Sequence, residues 1–406
     1  MKIVIPHSWS PNIGDMALLS STVKTLKQVI PDAEITALVS DPDLTEKELP
    51  GLDAKLLIWP WPIPKGKRTL LDLASYPFIY LSHFFSVMAY RLARQRIFIF
   101  NKRYSMPLKS MFECDMVVSP GGDFISPRYN FITALTEVLF AKMLGKKLVI
   151  FPQTMGPFTG LLNGQICRRI LNQADLIFLR EKETEKLLRN IGVNNFHVTA
   201  DIVFTSAPIQ KIIKRKTIII CTEDVKSAAY EDYFAELTKR IAAEGFDVLY
   251  VPANGADIAI NKRLAQRTGS KSLGKVPGPK DLAELISECE FLVSGRMHPV
   301  ILGTLSGTPF FVIGDGFKFS EILGDLCEAC WMELRWIKDE KSMDIILEKI
   351  KERDALHKKI NENLPKVREK ALSTSSILEQ KIREWNSAEE LKLDEVIGTL
   401  EGQKQS

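Results

Sequence analysis

An arginine and a histidine two residues apart, in Ser294-Gly-Arg-Met-His298, mark the segment of this chain best suited to chemistry. Phe291-Leu-Val293 before them is a short apolar run that reads as a buried strand. Pro299 after them suits the first turn of a helix running through Val300 to Leu305. Gly307-Thr-Pro309 ends that helix, and Phe310 to Ile313 reads as the next strand. The turn therefore joins the carboxyl end of a parallel strand to a helix, where open α/β sheets place ligands. Unpaired N–H groups and the dipole at such a helix start attract anions. Arg296 adds a guanidinium fork and His298 a proton that moves near neutral pH, so a phosphorylated or carboxylated substrate fits. Arg-x-His pairs also cap helices and brace loops, and the triplet by itself does not separate the two uses.

The elements that must position this turn alternate along the chain. Ile3-Val-Ile5, Glu34 to Val39, Leu56-Leu-Ile58, Met116-Val-Val118, Leu148 to Phe151, Leu176-Ile-Phe178 and His197-Val198 read as strands, with a helix from Met16 to Ile30. A second series opens at Thr217 to Ile220 and continues through a helix at 230–244, a strand at 247–251 and a helix at 280–288 to the strands at 291–293 and 310–313. Ser206 to Lys216 reads as the linker. The spacing predicts an α/β protein of two Rossmann-like domains facing across a cleft, at 1–205 and 206–375. Residues 376–406 are expected to form a helix that packs back on the first domain, with a disordered polar end after Glu401.

Bulk properties narrow the function. A net charge of +4 over 406 residues, with no long basic run interleaved with aromatics, gives no reason to expect nucleic-acid binding. The six cysteines lack a disulfide-scaffold spacing; Cys327-Glu-Ala-Cys330 reads as helical packing, and no zinc-ligand cluster or other metal set is visible. The first residues read as a strand and not as a signal, so a cytoplasmic location is expected. Leu70 to Tyr90 is largely apolar, contains Pro77, and is flanked by Lys65, Lys67 and Arg68 and by Arg91, Arg94 and Arg96. Crossing a bilayer there would tear a sheet apart. A helix pair packed on the sheet is the first expectation, and peripheral contact of 70–90 with anionic lipid is the second.

Three further loops follow strands of the first domain. Asn12-Ile-Gly-Asp15 opens the first long helix, with Gly14 allowing close approach and Asn12 and Asp15 offering hydrogen bonds to hydroxyls or to the helix end. Gly121 and Gly122, before Asp123, leave room for a ligand against bare backbone or simply make a tight turn. Gln153-Thr-Met-Gly-Pro157 repeats the theme. Three such loops facing the Ser294–His298 turn predict an active site between the domains.

Taken in order, Asn12-Ile-Gly-Asp15, Gly121-Gly122, Gln153-Thr-Met-Gly-Pro157, Arg180-Glu181, Ala200-Asp201 and Ser294-Gly-Arg-Met-His298 resemble the polysaccharide pyruvyl transferase family. The resemblance runs from the first strand to about Gly324, with Lys318 in a loop where that family often carries a lysine. Pro120 and Asp123 flank two glycines where the family often has three in a row. The resemblance implies a fold similar to two-domain GT-B glycosyltransferases. It also implies transfer of an enolpyruvyl unit from phosphoenolpyruvate to a sugar or glycan, closing as a pyruvate ketal, with no cofactor. On that reading Arg296, Lys318 and the helix starting at Pro299 hold the donor, and Ser294, Asn12, Gly14, Gly121, Gly122, Asp123 and Gln153 line the site. His298 is the general acid, gaining its proton when the multianion binds, and Asp15, or Asp123, is the base or acceptor anchor.

Two other functions fit the same pieces. A nucleotide-sugar glycosyltransferase would need an acid for the ribose, and Glu321 is available for it. A non-catalytic relative would keep the fold and bind glycan or membrane. The acceptor is left open between a free glycan precursor and a lipid-linked one.

Overall fold

The computed structural model describes the chain apart from residues 59–69, 99–101, 127–130, 159–160, 213–214, 315–316, 328–329, 339 and 405–406. The first sheet contains β1 (Lys2–Ser8), β2 (Glu34–Val39), β3 (Asp53–Leu56), β4 (Met116–Ser119), β5 (Lys147–Gln153), β6 (Leu176–Leu179) and β7 (His197–Val198). The second contains β8 (Thr217–Cys221), β9 (Asp247–Tyr250), β10 (Lys271–Ser272), β11 (Phe291–Ser294), β12 (Phe310–Ile313) and β13 (Trp331–Met332). The helices between them are α1 (Ile13–Val29), α2 (Pro42–Glu48), α3 (Leu70–Ala93), α4 (Lys102–Glu113), α5 (Phe131–Met143), α6 (Leu161–Leu171) and α7 (Lys182–Asn190). In the second half follow α8 (Ala228–Ala243), α9 (Asp257–Thr268), α10 (Pro279–Ser287), α11 (Met297–Thr304), α12 (Phe317–Gly324), α13 (Glu340–Lys351) and α14 (Arg353–Lys404).

Both sheets are wholly parallel and share one winding. The first is ordered β3-β2-β1-β4-β5-β6-β7, the second β10-β9-β8-β11-β12-β13. The order reverses between β1 and β4 in one sheet and between β8 and β11 in the other. Beyond the carboxyl ends of those strands lies the crevice where such sheets take ligands. Asn12-Ile-Gly-Asp15 and Gly121-Gly122 occupy it in the first half, and the Ser294–His298 turn occupies it in the second.

Helices cover both faces, so strand residues are apolar on both sides. In β1, Ile3 and Ile5 enter one hydrophobic cluster and Val4 the other. The first of these clusters continues through α1 into the second sheet and on to Ile382 of α14, so the halves share a core.

α14 is a helix of 52 residues beginning at Arg353, earlier than the expected break at 376, and it continues to Lys404 through the end expected to be disordered. It crosses back to the first half as anticipated. Arg368 donates to the carbonyls of Phe204 (3.3 Å) and Ser206 (3.2 Å), and Lys147 lies 5.0 Å from the Trp385 ring.

Three expectations are corrected. The Leu70–Tyr90 segment is one helix carrying Pro77, not a helix pair, and its basic neighbours Lys65, Lys67 and Arg68 lie outside the described residues. Among the described residues no helix is long and apolar enough to cross a membrane. Lys318 stands in α12 and not in a loop, because Phe317 to Gly324 forms a helix. Cys327 and Cys330 follow that helix and are joined by a disulfide rather than packed as free thiols within it.

Candidate active site between the two sheets

α1 starts at the carboxyl end of β1. Asn12 caps it, its side-chain oxygen accepting from the Gly14 N–H at 2.8 Å. The same loop touches the second half, because Ile13 N–H donates to the Ala253 carbonyl at 3.0 Å and Asn12 bridges to Asn254. Asp15 falls in the first turn of α1, where the helix dipole favours a carboxylate.

Across the interface, Ser294 Oγ accepts from Arg296 N–H (3.0 Å) and donates to the Arg296 carbonyl (2.7 Å). Its hydroxyl thus serves the turn itself. Arg296 caps α11 and projects toward α9, where its Nη2 donates to Asp257 at 2.6 Å and Nη1 lies 3.7 Å from Glu223. The fork expected to meet a substrate is therefore held by two carboxylates of its own half, and its Nε is buried without a hydrogen-bond partner among the described residues. Asp257 also accepts the backbone N–H groups of Asn254 and Asp224. Burial pushes its carboxyl up, and the Arg296 cation opposes that shift.

His298 reaches the first half. A methyl group placed on Gly14 would come within 2.2 Å of His298 Nδ1 and 2.8 Å of Cγ, so the ring rests on the bare backbone of α1. His298 Nε2 is buried, 3.7 Å from Asp201 Oδ2, which is ion-pair range but too long for a hydrogen bond. Asp201 follows β7 and caps the short 3-10 turn at Ile202–Thr205, accepting from Val203 N–H at 3.0 Å. Its other oxygen accepts from Arg180 Nη1 at 2.7 Å. Arg180 follows β6, donates through Nε to Thr154 at 2.8 Å, and lies 3.4 Å from Glu181.

Burial works against the charge of Asp201, yet the His298 contact and the Arg180 cation hold its carboxyl far below the usual carboxylate range. For Arg180 burial again opposes the charge, and Asp201, Glu181 and Asp123 more than offset it. Burial pushes Glu181 up despite Arg180 and a hydrogen bond from Thr184. Asp123, read as a base, thus lies within the field of a buried arginine.

Of the two uses read for the glycines after β4, the packing supports the tight turn: a side chain at Gly121 would meet Leu18 and the Pro152 carbonyl, and one at Gly122 would meet Phe124 and Leu18. Gly122 is required by its φ of +129°. Gln153 braces the same turn, donating to Ser119 Oγ (2.8 Å) and the Pro120 carbonyl (2.6 Å), while its Oε1 is buried without a hydrogen-bond partner among the described residues. Lys318 sits in the first turn of α12, and its side chain lies outside the described residues. Glu321, the acid available for a ribose, accepts instead from Lys182 N–H (2.7 Å) and Glu183 N–H (3.1 Å) at the start of α7.

Four residues escaped sequence reasoning. Asp257, at the start of α9, and Glu223, in the loop after β8, hold Arg296 from positions distant in the chain. His7, at the end of β1, adopts a φ of +32°, rare for a side-chain-bearing residue, where the register with β2 shifts. Its Nδ1 pairs with the buried Glu137 of α5, its Nε2 is buried without a hydrogen-bond partner among the described residues, and its ring meets Phe124 edge-on at 4.6 Å. A histidine closing a strand at the switch point is the signal that could have drawn attention to it. A cavity of about 200 Å³ lies beside the Asn12 loop, lined by Ser10, Pro11 and Met16 from one half and Gly255, Val276 and Gly278 from the other. Among the described residues no cluster of three His, Cys, Asp or Glu side chains is set to hold a metal ion.

The polysaccharide pyruvyl transferase family model matches residues 12–316. No curated protein matches the sequence. Among solved structures, the S. aureus MnaA–UDP complex is similar at a TM-score of 0.58 and 13% identity, covering 89% of this chain and 91% of that one. Anabaena Alr3699/HepE in complex with UDP and glucose gives a TM-score of 0.56 and 14% identity, with 95% and 99% covered. A UDP-glucose:anthocyanidin 3-O-glucosyltransferase in complex with UDP gives 0.56 and 10%, with 94% and 98% covered. At these identities the likeness speaks for the two-domain GT-B-like fold.

Proposed function

Because this chain belongs to the polysaccharide pyruvyl transferase family, we propose that it moves the enolpyruvyl unit of phosphoenolpyruvate onto a sugar and closes it as a pyruvate ketal. The observation that best supports this is the seating of His298, from one half, on Gly14 and beside the buried Asp201–Arg180 pair of the other. A titratable ring with a fixed counter-charge at a two-sided cleft suits proton delivery to a bound alkene.

In this reading His298 gives a proton to the vinyl carbon, leaving an oxocarbenium-like centre. One sugar hydroxyl adds there and loses its proton. The C–O bond to phosphate then breaks with its electron pair, and a second hydroxyl adds to close the ketal. Of the two hydroxyl protons, one restores His298 and the other leaves on inorganic phosphate. Asp201 supplies the counter-charge to the imidazolium, and Arg296 Nε, Lys318 and the start of α11 hold the donor's anionic groups. Asp15 is the acceptor-side base expected from its place in α1, and His7, oriented by Glu137 with Nε2 unpaired, is the alternative that the structure adds.

The test is acceptor-dependent phosphate release from phosphoenolpyruvate across a glycan panel, with donor binding measured by calorimetry. His298→Ala should lower turnover by about 10²–10⁴-fold with folding retained. Comparison of Asp15→Asn with His7→Gln assigns the base to whichever loses turnover. Unchanged release in His298→Ala would refute the assignment. Failure to bind phosphoenolpyruvate, together with binding of a uridine diphosphate sugar, would refute the reaction.

A further inference from the structure

α3 presents large apolar side chains outward, while its buried face holds polar side chains beside Ile79 and Val87. Ser82, His83 and Ser86 face inward, Ser86 at 1% exposure, and the two serine hydroxyls donate to the carbonyls of Ile79 and Ser82. Outward stand Phe78 (66% exposed), Leu81 (62%), Phe85 (54%) and Leu92 (78%). Their spacing of three, four and seven residues sets them along one face of the helix. Isolated exposed apolar side chains need no explanation, but a continuous aromatic and aliphatic stripe marks an interaction surface. Arg91, Arg94 and Arg96, all exposed, lie at the carboxyl end of the same helix.

We propose that this face of α3 docks on an anionic lipid surface, with the apolar stripe entering the acyl boundary and the arginines meeting the headgroups. The charge pattern selects this occupant: an apolar ridge ending in a cationic cluster complements a bilayer with anionic headgroups. The helix lies on the surface and does not cross it, because it is fixed to the fold. Tyr80 pairs with Thr136 of α5 at 3.0 Å, and the Phe84 and Phe140 rings lie 6.3 Å apart. α5 also carries Glu137, the partner of His7, so docking sets the first half of the protein against lipid.

The experiment is co-sedimentation of the full chain with vesicles of phosphatidylcholine alone or mixed with phosphatidylglycerol, with light scattering on the same samples. Two variants accompany it: Phe78→Asp/Phe85→Asp, which changes exposed positions, and Arg91→Glu/Arg96→Glu. The expected result is pelleting at least about tenfold stronger with the anionic vesicles, abolished by the aspartates and reduced to the phosphatidylcholine level by the glutamates. Absence of pelleting, or pelleting that survives the aspartates, overturns the proposal. A dimer that the aspartates dissociate, without vesicle binding, overturns it in favour of an interface between two copies of this chain.

Discussion

Gly14→Ala isolates the contact on which the candidate site depends. Gly14 lies in the first turn of α1 with an ordinary helical conformation, so backbone preference alone favours alanine by up to ~1 kcal/mol. The added methyl would stand 2.2 Å from His298 Nδ1, 2.8 Å from Cγ and 3.0 Å from Cε1. Ordinary contact requires ~3.5 Å, so the ring must move by more than about 1 Å or the two halves must part. Overpacking of this kind costs about 1–3 kcal/mol, which outweighs the helical gain. In a His298→Ala background the obstacle is gone, and the same substitution should be neutral or stabilising by up to ~1 kcal/mol. Urea unfolding of the four proteins in the cycle should therefore show a coupling of about 2 kcal/mol. The displaced ring also leaves Asp201, so Gly14→Ala should reduce acceptor-dependent phosphate release by on the order of 10² or more, close to His298→Ala itself. Stabilities that add within about 0.5 kcal/mol would show that the ring does not rest on Gly14, and the geometry of the proposed acid would fall with it.

Two further outcomes follow from the buried charges and the cysteines. The Asp201 carboxyl is held below its unfolded value by His298 and Arg180, so its stabilisation is complete above the ordinary aspartate pKa of about 3.9 and is lost as pH falls below it. Asp201→Asn should flatten that acid limb in urea midpoints measured from pH 2.5 to 5 and cost about 3 kcal/mol at neutral pH by removing the carboxylate that hydrogen-bonds Arg180 and leaving it to Glu181 and Asp123. Thiol titration after unfolding without reductant should count four cysteines (114, 167, 221 and 289), rising to six on reduction; six at the outset would refute the Cys327–Cys330 bond.

The parallel strands were legible because both faces are buried, which writes near-continuous apolar runs into the chain: Glu34–Val39 and Phe310–Ile313 were placed to the residue. The edge strands Lys271–Ser272 and Trp331–Met332 were missed because two residues carry no period. Pro77 suggested a break in the Leu70–Tyr90 segment, but tertiary packing through Tyr80 and Phe84 accommodates it within one helix. In the site, the loops were found from their place after strands, while the purposes of their glycines were not. Gly14 makes room for a side chain from the other half, and Gly121 for Leu18 and a carbonyl, contacts that no local pattern records. The carboxylates that hold Arg296 were equally invisible, since Glu223 and Asp257 meet it only in the folded second half.

Those carboxylates change how an anionic donor would be recognised. Each arginine is compensated within its own half, Arg180 by Asp201 and Glu181, and Arg296 by Asp257 with Glu223 nearby. A compensated guanidinium offers little free charge, so it acts mainly by direction, through a donor such as Arg296 Nε held at a fixed angle. Net attraction for a multianion must then come from the start of α11, from Lys318 and from protonation at His298. Of these, His298 touches the opposite half, through Gly14 and Asp201. The group that would supply the proton is thus the one whose surroundings depend on the two halves being together. On the proposed reading, a donor that placed a proton on His298 would strengthen its attraction to Asp201, so donor binding and the contact between the halves would reinforce each other.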